Sequence, residues 1–229
     1  MTSVVKRPER RYSYETNGSA ISKESFRIVR EGADLTAFTP EEAQVAVRMI
    51  HTAGDLDLPR RVVFHPDLVS AVRGALRGGA PIFTDANMVK SGITRRRLPA
   101  DNEVRCLLRD ERAVALADEW GTTRSAAAVS LWGDDLGGAV VAIGNAPTAL
   151  FHLLEVIADG GPRPAAIIGV PVGFVGSAES KQALADSDFG VPWLVVHGHR
   201  GGSALAASAI NALASELDRK STRSELQSQ

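Results

Sequence analysis

The fold is decided by residues 139–170, which read AVVAIGNAPTALFHLLEVIADGGPRPAAIIGV. Short runs rich in β-branched residues at 139–143 and 165–170 predict two strands, and leucine and alanine at helical spacing over 148–158 predict a helix between them. A strand, a helix and a second strand in this order are typical of a right-handed crossover in a parallel sheet. The turn at 144–148 then lies at the carboxyl end of the first strand, where open α/β sheets receive ligands.

The same alternation continues along the rest of the chain. Further strands are predicted at 61–64, 81–84, 104–108 and 193–196, and further helices at 67–77, 110–120, 125–132, 177–185 and 203–217. We therefore expect a three-layer α/β/α fold in which helices cover both faces of a mostly parallel sheet. One domain is expected over 13–217, between flexible segments at 1–12 and 218–229.

Composition limits the possible functions. A chain of 229 residues with 44% hydrophobic content is large enough for one sizeable core. Its formal net charge of -1 produces no overall field that attracts nucleic acid or a membrane surface, so we expect neither as a partner. Cys106 is the only cysteine, which excludes an internal disulfide and any cysteine-rich metal site. Because the sequence contains no bilayer-spanning apolar run and no secretory signal, we expect a cytoplasmic protein.

A short amphipathic helix is marked by signals at both of its ends. Thr39 suits the N-cap, Pro40 suits the first helical position, and Glu42 completes a capping box. Gly54 is a typical stop signal. These residues predict a helix between Thr39 and Gly54.

One face of this helix is polar. Gln44, Arg48, His51 and Asp55 recur at spacings of three and four, so they share that face. The negative end of the helix dipole and the carboxylate of Asp55 both favour a positive charge on the His51 ring, which suits a general acid. A solvated helix face with an incidental histidine is the alternative interpretation.

Four predicted strand-end loops are rich in glycine and small polar residues. They cover 85–93, 144–148, 169–174 and 198–203. Several end where a helix is expected to begin, and bare backbone N–H groups there could receive carboxylates or phosphates. For any one loop, a tight connection without a ligand is the alternative. Neither the dinucleotide-binding fingerprint nor a phosphate-binding P-loop is present.

Six short segments occur in a specific order between residues 21 and 213. They are ISKESF (21–26), RMIHTAGD (48–55), DANMVKSGI (85–93), GNAPTAL (144–150), PVGFV (171–175) with ESK (179–181), and GGS (201–203). Any one of them could occur by chance, whereas all six in this order are specific. In this respect the chain resembles the precorrin-8X methylmutase family of cobalamin biosynthesis.

The resemblance implies a fold and a reaction. The family is similar to flavodoxin-like α/β proteins, works as a homodimer, and moves a methyl group from carbon 11 to carbon 12 of precorrin-8X, or of its cobalt-containing equivalent, to give hydrogenobyrinic acid or its cobalt form. The family's catalytic histidine matches His51, which is expected to donate a proton or a hydrogen bond. Positive charge on the conjugated ring eases the methyl shift, so an acid is needed. The reaction does not need a nucleophile, a metal, a redox cofactor or S-adenosylmethionine. We therefore expect an isomerase with no cofactor.

Residues that contact the substrate also follow from the resemblance. Matching the family's contacts points to Ser25, Arg48, Asn87, Met88, Thr94 and Arg124. The substrate is an apolar disc fringed with carboxylates, so it needs flat contacts inside and cations outside. The cations expected at the rim are Arg48, Lys90, Arg95, Arg96, Arg97, Arg124 and Arg200, and the side chains expected against the plane are Met88, Ile93 and Phe174. The arginine run at 95–97 is alternatively a solvated surface.

One departure from the family pattern affects the Gly-Gly-Ser loop. Family members commonly have arginines around it, whereas this chain has His197 and His199. The carboxylate contacts of this loop are therefore left open.

Two other classes of function remain open from the sequence. A different α/β enzyme with a nucleotide cofactor would also use glycine loops at strand ends, although the missing fingerprint argues against it. A tetrapyrrole-binding carrier could keep the loops but would have no need of an acid at His51.

Overall fold

The computed structural model describes residues 5–215, and within them six strands form one sheet. The strands are β1 (Val62–Phe64), β2 (Ile82–Thr84), β3 (Val104–Arg105), β4 (Val140–Ile143), β5 (Ala166–Gly169) and β6 (Trp193–Val196). Their order across the sheet is β1-β6-β5-β4-β2-β3, with β1 antiparallel to β6 and every other neighbouring pair parallel. The parallel part has the flavodoxin-like strand order, whose switch point lies between β2 and β4.

Helices follow most of these strands. They are α1 (Gly18–Gly32), α2 (Pro40–Ala53), α3 (Leu68–Arg77), α4 (Asn87–Gly92), α5 (Glu111–Trp120), α6 (Arg124–Ser130), α7 (Pro147–Ala158), α8 (Ser177–Ala185) and α9 (Ser203–Ala214). None of the helices in the described part of the chain is long and apolar enough to cross a membrane.

The sheet separates two apolar layers. Val140 and Ala142 of β4 belong to the layer that α2, α3, α4 and α9 cover, whereas Val141 and Ile143 belong to the layer that α6, α7 and α8 cover. All four side chains are fully buried, because successive residues of a strand point to opposite faces and both faces are covered. The predicted three-layer α/β/α fold is confirmed.

Several elements differ from the sequence-based prediction. Helix α1 was not predicted, because its sequence is mostly polar and Val29 is its only buried residue. Strand β3 has two residues instead of the expected five, since it pairs only with β2 at the sheet edge. Residues 85–93, expected as a loop, contain α4, and the last helix ends at Ala214. The predicted domain limits stay a prediction; the tail at 218–229 lies outside the described residues.

Candidate functional site

Helix α2 begins and ends as its sequence predicts. The Thr39 hydroxyl oxygen accepts a hydrogen bond from the Glu42 N–H at 3.3 Å, and the Glu42 carboxylate accepts one from the Thr39 N–H at 2.8 Å. Gly54 ends the helix with φ of 64°, in the left-handed region that glycine tolerates. Met49 and Ile50 are fully buried beneath the helix, whereas His51 is exposed.

An ion pair between Asp55 and Arg200 joins the end of α2 to the loop after β6. Since β6 is a parallel strand of the sheet, this contact places the His51 end of α2 at the carboxyl edge. The sequence predicted that Asp55 would act on His51, but its carboxylate is bound to a guanidinium instead. Arg200, which was expected at the substrate rim, already has a partner within the chain.

The His51 ring is held by two residues of α1. Its Nδ1 lies 2.7 Å from the Oγ of Ser25, and the ring stacks on Phe26 with the two centroids 4.6 Å apart. Across residues 5–215, no hydrogen-bond partner lies at Nε2. One nitrogen of the ring is thus oriented by the protein, and the other is open to a ligand.

Phe26 also contacts Arg48. The guanidinium carbon of Arg48 lies 5.3 Å from the Phe26 ring centroid, within the range of a cation–π interaction. Three of the predicted residues, Ser25, Arg48 and His51, therefore form one cluster around Phe26. Phe26 was not predicted as a site residue, because an aromatic residue next to a motif serine is equally typical of an ordinary packing side chain.

A cavity of about 810 Å³ opens beside His51, between α1 and the end of α2. Its lining combines apolar, hydroxyl and acidic side chains with His51: Glu15, Ala20, Ile21, Glu24, Ser25, Ile28, Val29, Ile50, His51, Gly54, Asp55 and Leu56. Each of the three carboxylates has a partner in the chain, since Glu15 accepts backbone N–H bonds, Glu24 binds Arg27 and Asp55 binds Arg200. The described residues contain no group of histidine, cysteine and acidic side chains that could hold a metal ion.

The other four predicted contact residues lie on a different part of the carboxyl edge. Asn87 and Met88 begin α4 after β2, and Met88 is 75% exposed. The Thr94 backbone N–H donates to Oδ1 of an α9 asparagine at 2.8 Å. Arg124 is the exposed first residue of α6. None of the four lines the cavity beside His51, so their roles stay predictions.

The expected contacts with the plane of the substrate are only partly available. Phe174 is 86% exposed in the loop after β5, and Met88 is exposed as well. Ile93, in contrast, is 5% exposed and belongs to the core layer under α9. Its expected role against the substrate plane is wrong, because the end of α4 turns this side chain inwards.

A buried carboxylate closes the switch point between β2 and β4. Asp85 is 3% exposed and accepts hydrogen bonds from the backbone N–H groups of Gly144, Asn145 and Ala146 at 2.9, 2.9 and 2.6 Å. Burial raises the pKa of Asp85, and the three N–H bonds oppose that rise. For this loop the alternative of a tight connection without a ligand is favoured, since the chain's own carboxylate binds these three N–H groups.

The loop after β6, in which His199 departs from the family pattern, packs against the loop after β5. Nδ1 of His199 lies 3.1 Å from the carbonyl oxygen of Gly173, and its ring centroid lies 5.3 Å from that of Phe174. His197 lines a separate open groove with side chains of α8. His199 therefore connects the loops after β5 and β6.

The flavodoxin-like sheet, with the cluster of Ser25, Arg48 and His51 at its carboxyl edge, defines an α/β protein with an enzyme-like site. The family model CbiC, precorrin-8X methylmutase, matches residues 20–216. The chain is 59% identical to the precorrin-8X methylmutase of Sinorhizobium sp over 203 residues, which cover 89% of this chain and 97% of that protein. It is 51% identical to the precorrin-8X methylmutase of Pseudomonas aeruginosa over 205 residues, which cover 90% of this chain and 99% of that protein.

A solved structure agrees with these matches. The crystal structure of precorrin-8x methyl mutase from Thermus thermophilus is similar with a TM-score of 0.78 and 42% identity, and the match covers 86% of this chain and 95% of that one. Further relatives, 32% to 39% identical, are named cobalt-precorrin-8 methylmutases. The chain belongs to the precorrin-8X methylmutase family. Methylmutases are isomerases, so the expected enzyme class is confirmed.

Proposed function

We propose that this protein moves the methyl group of precorrin-8X from carbon 11 to carbon 12, giving hydrogenobyrinic acid, with His51 as the acid. The observation that carries this proposal is the oriented ring of His51, whose Nδ1 is 2.7 Å from the Ser25 hydroxyl in a cavity of about 810 Å³. The reaction is balanced within one molecule, because one carbon–methyl bond breaks as the other forms. No cofactor is required by that balance.

The serine supports a donor role for the other ring nitrogen. If the Ser25 hydroxyl donates to Nδ1 of neutral His51, the ring proton lies on Nε2. If the ring is protonated, Nδ1 donates to Ser25 and Nε2 again carries a proton. In these two arrangements Nε2–H can donate to the macrocycle and draw electron density from it, which lowers the barrier to a methyl shift. In the third arrangement a neutral ring donates from Nδ1 to Ser25 and Nε2 is an acceptor, so the proposed acid requires one of the first two.

The relatives favour the metal-free substrate. The two relatives that are 59% and 51% identical are named for precorrin-8X, whereas those named for the cobalt form are at most 39% identical. The substrate carboxylates would be met by Arg48 and Arg124, and the disc by Met88 and Phe174, with Ser25, Asn87 and Thr94 as further contacts. A cytoplasmic location is consistent with a biosynthetic enzyme.

We further propose a homodimer with the sites at or near the subunit interface. The exposed apolar side chains of Met88, Phe174 and Val175 support it, since a flat macrocycle needs a second wall that excludes water. Sedimentation should reveal a species of twice the chain mass. Mixing two inactive variants, one at His51 and one in the loop at 171–176, should restore partial activity, and a fully active monomer would contradict the dimer.

The test of the function is incubation of the pure protein with metal-free precorrin-8X, followed by visible spectroscopy. The spectrum should change to that of hydrogenobyrinic acid without any added cofactor. A carrier would give a shifted spectrum of bound precorrin-8X and no product. A nucleotide-dependent enzyme would give product only after a nucleotide was added, which the closed switch point at Asp85 argues against.

A further inference from the structure

Lys181 is a buried cation that the site described so far does not use. It lies on α8, and its side chain is 0% exposed. In the part of the chain that the structure describes, its ammonium group has no carboxylate partner, and burial lowers its pKa to about 8. Burying a charge without a counter-ion costs free energy, so the oxygen atoms that bind the ammonium group are needed to stabilise it.

The oxygen atoms that bind Lys181 come from two loops at the carboxyl edge. Its Nζ donates to the carbonyl oxygen of Pro171 at 3.1 Å and to that of Arg200 at 2.7 Å. Pro171 follows β5 and Arg200 follows β6. One ammonium group therefore joins the loops after two neighbouring strands.

These loops are in direct contact beside Lys181. A Cβ atom at Gly201 would lie 2.3 Å from the carbonyl oxygen of Pro171 and 2.4 Å from that of Val170, so only glycine fits there. The Gly202 N–H donates to the Val170 carbonyl at 2.8 Å. The carbonyl oxygens of Val170 and Pro171 thus lie close to the backbone of Gly201, and the ammonium group of Lys181 binds the Pro171 oxygen.

Arg200 connects this cluster to the histidine site. Its backbone carbonyl is bound by Lys181, and its guanidinium is paired with Asp55. Asp55 and Gly54 line the cavity beside His51. Lys181 itself does not line that cavity.

We propose that Lys181 is a positioning residue for the methylmutase site, whose ammonium group fixes the backbone of Arg200 so that its guanidinium holds Asp55 and the His51 end of α2. This proposal rests on the proposed function, because the cavity that is positioned is the one assigned to precorrin-8X. It predicts that loss of the ammonium group alters substrate binding from a distance, through Arg200.

The test compares Lys181→Met, Arg200→Met and the double variant with the wild type. Methionine has a similar volume, and replacing a buried charge by a well-packed apolar side chain is often neutral for stability, so Lys181→Met is expected to fold. Each single variant should raise KM for precorrin-8X about tenfold, with a smaller change in kcat. The KM of the double variant should be no higher than that of the single variant with the higher KM, since both substitutions act on one contact. Lys6→Met, on an exposed lysine, is the matched control.

A second measurement needs no substrate. Hydrogen exchange in free Lys181→Met should be about tenfold faster than in the wild type at 171–176 and 198–203, and unchanged in α3. Unchanged exchange in both loops, additive effects in the double variant, or faster exchange with an unchanged KM would each overturn the positioning role. Absence of turnover by the wild type would instead overturn the proposed function. The exchange result would remain valid, because it is measured without substrate.

Discussion

The Nδ1 atom of His51 lies 2.7 Å from the Oγ of Ser25, and this contact joins α2 to α1. It changes the interpretation of a histidine that, on its own helix, is hard to distinguish from an incidental surface residue. A hydroxyl from a second helix orients the ring, and Phe26 stacks on it. The ring is therefore held before any substrate arrives, as an acid that acts on a large rigid ligand must be.

Ser25→Ala should lower kcat about tenfold, because the loss of one hydrogen bond of about 1.4 kcal/mol leaves the His51 ring less well oriented. KM should change less, since the cavity walls remain. The rate of hydrogenobyrinic acid formation measures the effect, and Ser22→Ala, on an exposed serine of the same helix, is the control. A Ser25→Ala enzyme with the wild-type kcat would mean that Ser25 does not orient the acid.

Arg48→Lys should weaken the binding of precorrin-8X by about 10-fold, since lysine keeps the charge but loses the planar fork that pairs with a carboxylate. Arg48→Ala should bind more weakly still. Visible titration with His51→Asn as the background avoids turnover during the measurement. Arg112→Lys, on an exposed arginine paired with Asp110, is the control. Unchanged binding by both Arg48 variants would refute its role.

Lys181 should make the stability of the protein depend on pH above about 8. Burial lowers its pKa to about 8 in the folded state, against about 10.4 in an unfolded chain. Between these values the unfolded state binds more protons, so the free energy of unfolding rises with pH, by at most about 3 kcal/mol from this group.

Urea unfolding of the wild type and Lys181→Met at pH 7.5 and pH 10.5 measures this contribution. The stability of the wild type relative to the variant should increase between the two pH values. A difference between the two proteins that stays constant would contradict the lowered pKa of Lys181.

The central strands and the limits of α2 were predictable because local signals determine them. The apolar runs that became β4 and β5 are buried on both faces, and Thr39, Glu42 and Gly54 mark the helix ends by their own chemistry. The resemblance to the family then supplied the reaction and the candidate residues, which spacing alone does not provide.

The contacts that complete the site were not predictable, because they depend on strand order and on elements distant in sequence. Asp85 binds N–H groups about sixty residues away only because β2 and β4 are neighbours in the sheet. Lys181 reaches Arg200 for the same reason across β5 and β6. The contact of α1 with His51 was not predicted, since α1 is a mostly polar helix in which Val29 is the only buried residue.

The most direct test of the account is the turnover of precorrin-8X by His51→Ala and His51→Asn. Both variants should fold normally, because His51 is exposed, and both should lose turnover by at least about 100-fold, while His51→Asn still binds the macrocycle. His152→Ala removes a histidine that is also 2.7 Å from a serine hydroxyl, but between α6 and α7, and should keep the wild-type rate. Hydrogenobyrinic acid formation by His51→Ala at the wild-type rate would contradict the assignment of His51 as the acid.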